Sequence, residues 1–125
     1  MSVTQSRSLL WLAIAAWAGV IFFMSSLPGS SLPPRIPPQI GHLGEYFILG
    51  SLLYMALRID LPPRRALLLA VLLASAYGVT DEFHQRFVAT RTPDVWDWAT
   101  DTLGALAGAG LTHVILARAS RRRSA

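Results

Sequence analysis

At 125 residues, 53% apolar and only 14% charged, with a mean hydropathy of +0.44, the chain lacks the polar surface of a soluble domain, of which about a quarter of residues are charged. The absence of cysteine excludes a disulfide framework, a thiolate metal site and a thiol nucleophile, and leaves any chemistry to His, carboxylate, Tyr, Ser, Thr or Arg. The net charge of +4 comes from arginines clustered at the ends of apolar blocks rather than on one basic face, which speaks for membrane orientation and against nucleic-acid binding.

The first block, 9–27, is uncharged and long enough at 1.5 Å per residue to cross about 30 Å of hydrocarbon. It is read as a spanning helix rather than a cleaved signal, because its apolar run exceeds a signal h-region and Ser25 and Ser26 lead into Leu-Pro without an A-x-A site. Pro28, Pro33, Pro34, Pro37 and Pro38 then predict an extended loop, since proline lacks a donor and restricts the residue before it. A second helix is expected over 40–57. A short hairpin containing Pro62 and Pro63 leads to a third over 66–83, with proline suited to the first turn of the new helix. The stretch from His84 to Thr92 reads as a polar loop, and a fourth helix is expected over 95–117, followed by a tail holding Arg118, Arg121, Arg122 and Arg123. The expectation is a single all-α domain over 1–125, a bundle of four transmembrane helices.

Orientation follows from counting arginines. The N-terminus, the central hairpin and the C-terminal tail carry Arg7, Arg58, Arg64, Arg65, Arg118, Arg121, Arg122 and Arg123, whereas the other side holds Arg35, Arg86 and Arg91. The positive-inside rule therefore predicts a multi-pass protein of the cell (cytoplasmic) membrane with both termini cytoplasmic. His42, Glu45, Tyr46, Asp81, Glu82, Gln85, Asp97 and Asp101 then all fall at the outer side. Glu45 and Asp101 lie roughly 7–9 Å inside their helices.

A carboxylate facing lipid is costly, so acids at this depth are expected to face the bundle interior or a wet cavity. Glu45, Asp94 and Asp97 lie near helix N-termini, where the macrodipole favours an anion, and simple anchoring accounts for them equally well. Asp81 and Glu82 lie at a helix C-terminus, where the dipole opposes them, and they need partners. Arg86, four residues on, offers one to Glu82, and Gln85 stands in the same relation to Asp81. His42, Glu45, Tyr46, Leu49 and Leu53 share one helix face. His42 and Glu45 could ligate a metal or relay a proton, but an interhelical hydrogen bond explains them as well, and neither metal nor cofactor is assigned. Asp97, Asp101, Gly104 and Gly108 form one stripe on the fourth helix, with the glycines in the small-xxx-small spacing that lets helices approach closely. Tyr46, Trp96 and Trp98 suit a membrane interface equally well, and His84 and His113 read as structural.

H-x-x-E-Y in the second helix, D-E-x-x-Q ending the third, Arg91 in the loop and D-x-x-x-D-T-x-G-x-x-x-G in the fourth together resemble VanZ-like proteins, over about Gly41 to Gly108. The resemblance implies a bacterial multi-pass membrane protein of the cell envelope, from a family whose founding member is associated with glycopeptide resistance of the teicoplanin type. The family's signature positions match at His42, Glu45, Tyr46, Asp81, Glu82, Gln85, Arg91, Asp97, Gly104 and Gly108. Asp101 departs from it, standing where the family often has Asn and making the site more acidic.

Two functions remain open from the sequence. One is a polar site that binds a lipid or cell-wall-related head group, with membrane lipids as partners, Arg91 meeting a phosphate or carboxylate and the acids accepting from hydroxyls or amines. Arg91 would also be the counter-charge of Glu45, Asp81 and Asp101. The other is an outer-leaflet hydrolase or transferase using Glu45 or Asp81 as general base with His42 as partner. Confinement of the acids to one side argues against a proton pathway across the membrane.

Overall fold

The computed structural model describes residues 1–31 and 34–124; Leu32 and Pro33 of the proline loop and Ala125 lie outside the described residues. The described residues form four helices and no strand: α1 (Val3–Ser26), α2 (Pro38–Leu57), α3 (Pro63–Gln85) and α4 (Val95–Arg123), with a 3₁₀ turn at Gly29–Ser31. All four helices are long and apolar enough to cross a membrane.

The helix ends have local causes. Ser2 and Gln5 form a reciprocal capping box at the start of α1. Pro38 and Pro63 occupy first-turn positions, where a missing N–H costs nothing and the fixed φ suits the helix. Asp94 caps α4 by accepting from the Trp96 N–H at 2.9 Å. Each helix extends beyond its apolar run. Pro38, expected in the loop, begins α2; His84, also expected in a loop, is in the last turn of α3. The arginine tail is not a loose end either, because α4 continues through Arg123. At 29 residues it is about 44 Å long, so its last turns pass beyond about 30 Å of hydrocarbon.

The centre of the molecule is the pairing of α2 with α4, the most extensive in the bundle. Small residues make it possible. A side chain on Gly108 would run into the Phe47 carbonyl, one on Gly104 would stand 2.5 Å from the Leu43 carbonyl oxygen, and one on Gly50 would overlap the main chain of Ala105. Backbones in such contact gain the dispersion and packing that hold helices together where lipid supplies no hydrophobic drive. On α3 the buried stripe Ala66, Ala70, Ala74 and Gly78 repeats every fourth residue for the same reason. α1 lies at the periphery, burying only Ile14, Ile21 and Ser25. It is tied on by the Trp17 indole N–H to the Glu45 carbonyl (2.8 Å) and by the Tyr77 hydroxyl to the Ala18 carbonyl (2.7 Å). Leu12, Phe23, Leu68, Leu103 and Ile115, each more than half exposed, face the surroundings, as expected for lipid contact.

Candidate functional site

At the end of the bundle nearest the proline loop, α2, α3 and α4 bring their polar residues together. Asp101, the first of these by depth, is fully buried (0% exposed). The His42 Nδ1–H donates to Asp101 Oδ1 at 2.7 Å, and His42 Nε2 lies 3.8 Å from Asp97 Oδ2. Asp97 also accepts from the Gln39 side chain at 3.0 Å, so α2 and α4 are joined by polar contacts directly above their glycine contact. The carboxylate of Asp101 also approaches α3. A Cβ on Gly78 would be 2.9 Å from Asp101 Oδ2, so the bare glycine makes room for the acid.

α3 supplies Asp81 and Gln85, 4% and 1% exposed, and the half-buried Glu82. Ligand atoms of His42, Asp81, Glu82 and Asp101 lie within 4.8 Å of one another. Several of these atoms have no protein partner: Asp81 Oδ2, Glu82 Oε1, Asp101 Oδ2, Gln85 Oε1 and the hydroxyls of Tyr46 and Ser25 are all buried without a hydrogen bond. Such groups are expensive to bury and mark a place where the protein alone does not complete the chemistry.

A cavity of about 170 Å³ opens beside this cluster. Its apolar lining, Met24, Ile36, Pro37 and Pro38, is exposed, and its polar lining comes from the more buried Ser25, His42, Glu45, Asp81, Gln85 and Arg91. An apolar mouth over a polar floor can accept an amphiphile by its head.

Nine residues are expected from the sequence at a shared polar site, and the structure sorts them. His42, Asp81, Glu82, Asp97 and Asp101 meet directly, as above. Glu45, Gln85 and Arg91 line the cavity. Tyr46 is fully buried beneath it, its ring 6.3 Å from that of Tyr77. Two pairings differ from expectation. Arg91 shares the cavity with Glu45 and Asp81 but forms no ion pair with an acid among the described residues: its Nε donates to the Leu27 carbonyl at 3.1 Å and its terminal nitrogen to the Met24 carbonyl at 3.2 Å, at the end of α1. The imidazole of His42 stands beside Asp101 instead. Nor does Glu82 pair with Arg86. Glu82 Oε2 accepts the Asp94 N–H at 2.9 Å, pinning the start of α4, while the Arg86 guanidinium lies 5.6 Å from the centre of the Phe83 ring.

Ser25 belongs to the site although the sequence pattern does not single it out, and so does Gly78, which helical spacing places on the face of Asp81. Ser25 carries a readable signal, a hydroxyl at the end of an apolar helix facing the proline loop; Gly78 stands one helical turn before Asp81. His84 bonds to the Ser26 hydroxyl at 3.0 Å and stacks on Phe22 at 4.3 Å, outside the polar cluster, and His113 pairs with the Tyr54 hydroxyl at 2.8 Å at the opposite end.

Comparison with known proteins finds one relationship. Residues 10–116 match the family described as VanZ/LLP1, a stretch that includes parts of all four helices and every residue of the cluster. No curated relative and no solved structure matches the chain.

Proposed function

This chain belongs to the VanZ/LLP1 family, and from that membership, the arginine distribution and the cavity we propose a multi-pass protein of the cytoplasmic membrane that binds a lipid or cell-wall-related head group at its outer leaflet. Both termini and the α2–α3 hairpin lie in the cytoplasm, a reading supported by eight arginines against three. The proline loop and the α3–α4 loop are then external, and the cavity opens toward them.

The observation that carries the reading is the cavity's two-part lining, in which Met24, Ile36, Pro37 and Pro38 are exposed whereas His42, Asp81 and Gln85 are buried and Glu45 and Arg91 half-buried. Membrane-embedded acids that face a cavity rather than lipid mark a ligand site by default. The carboxylates accept from hydroxyl or amine groups, and the guanidinium of Arg91, anchored by two of its nitrogens, presents its remaining N–H groups to a phosphate or carboxylate.

Native mass spectrometry of protein extracted in its own lipids tests this. Wild type retains a head-group-bearing lipid that Asp81→Asn loses; equal retention by both removes the reading. A second reading, an outer-leaflet hydrolase or transferase with Glu45 or Asp81 as base and His42 as partner, is favoured by one observation, that the buried, unpartnered Ser25 hydroxyl lines the same cavity as these acids. It predicts turnover of the retained lipid by wild type and none by Glu45→Gln.

A further inference from the structure

The deepest part of the cluster has a donor set more specific than a head group requires. We propose that His42, Asp81, Glu82 and Asp101 form a binding site for one divalent transition-metal ion, at the junction of α2, α3 and α4. The sequence alone assigns no metal, because an interhelical hydrogen bond explains its candidate donors His42 and Glu45 as well. The fold replaces Glu45 with acids from two other helices.

Three observations support the site. First, one donor atom from each of the four residues lies within 4.8 Å of every other. Donors on an octahedral ion with bonds of about 2.1 Å stand about 3 Å apart along an edge and about 4.2 Å across a diagonal. Four donors all spread to 4.8 Å would stand about 2.9 Å from a common centre, so each side chain closes on the ion by less than about 1 Å. Second, each of the three carboxylates keeps one buried oxygen without a hydrogen bond, Asp81 Oδ2, Glu82 Oε1 and Asp101 Oδ2, and Asp81 and Asp101 are 4% and 0% exposed. Third, a group outside the donor set fixes one of the acids as an outer shell would: the Asp94 N–H holds Glu82 Oε2.

Charge points the same way. Three carboxylates packed together within a bundle of membrane helices repel one another, and a 2+ ion offsets that repulsion. Imidazole suits Zn²⁺ and carboxylates suit Mn²⁺, so one nitrogen with three oxygens matches these two ions. His42 must give up the proton of its charged form to offer a nitrogen lone pair, and that proton is released as the ion binds. His42 and Asp81 also line the cavity, which gives the ion an approach from outside the protein. The site does not depend on a head group binding there, and lipid retention is read separately.

The test uses the full chain in detergent, stripped with a chelator and titrated with Mn²⁺ and, in parallel, with Zn²⁺. The proposal expects uptake of about one ion per chain, a rise in the unfolding midpoint, and a nitrogen coupling from His42 in the pulsed EPR spectrum of bound Mn²⁺. Asp81→Asn and Asp101→Asn weaken uptake roughly tenfold or more, whereas Asp60→Asn, in the α2–α3 hairpin, leaves it unchanged. Uptake by wild type no tighter than by the two carboxamide variants overturns the proposal. If those variants fail to fold, the wild-type spectrum decides: bound Mn²⁺ without a nitrogen coupling overturns it, and a coupling supports it.

Discussion

His42 on α2 and Asp101 on α4 meet through a 2.7 Å hydrogen bond in which the acid has no solvent exposure. They are 59 residues apart in sequence, and their bond lies directly above the glycine contact of the same two helices. Removing one partner of a buried charged pair leaves the other uncompensated, at about 3–5 kcal/mol. His42→Leu is therefore expected to lower the unfolding midpoint in detergent sharply, and His42→Leu with Asp101→Leu to recover much of the loss. The coupling in the double-mutant cycle should exceed about 1 kcal/mol.

Arg91 should behave differently. Because its guanidinium holds the Met24 and Leu27 carbonyls, Arg91→Gln is expected to loosen the end of α1 and to lower stability by about 1–3 kcal/mol. Combined with Asp101→Asn, its effect should add within about 0.5 kcal/mol. Strong coupling between them would return Arg91 to the role of counter-charge.

Glycine positions on α4 provide an internally controlled test of helix packing. Gly108→Leu forces a side chain into the Phe47 carbonyl and should destabilise by about 1–3 kcal/mol, whereas Gly110, where a Cβ would meet nothing within 4 Å, should accept leucine with little change. Equal stability of the two variants in thermal unfolding would contradict the α2–α4 contact.

Topology is testable against a background free of native cysteine. Cysteines at Ser31 and Ala89, both exposed, should react with an impermeant thiol reagent in intact cells, and one at Ser124 should not. Labelling at Ser124 alone would reverse the orientation.

Much of the fold is legible in the sequence because lipid imposes a simple rule, and the four apolar runs yield four helices. Their ends are less legible. Hydropathy falls where a helix leaves the hydrocarbon, but the hydrogen-bonded ladder continues through His84 and Gln85 and through Arg123 until its caps end it. The Asp97, Asp101, Gly104 and Gly108 stripe is readable from its spacing, and all four are buried. Which partner each residue meets is not readable. Periodicity defines a face but not the helix opposite, so charge alone matches Asp101 to Arg91 when the neighbouring chain at that height is α2, with His42. Gly50 escapes notice for the same reason, since its value lies in the Ala105 main chain that it admits.

Access to the polar cavity from outside the cell is what the proposed function depends on most. Gly41 lines that cavity and has open space where a side chain would stand, so Gly41→Cys reports on it without disturbing the packing. The measurement is the rate at which this cysteine reacts with an impermeant thiol reagent in intact cells and in inverted membrane vesicles. An outward-facing cavity predicts reaction in intact cells and protection in inverted vesicles; reaction only in inverted vesicles would contradict it.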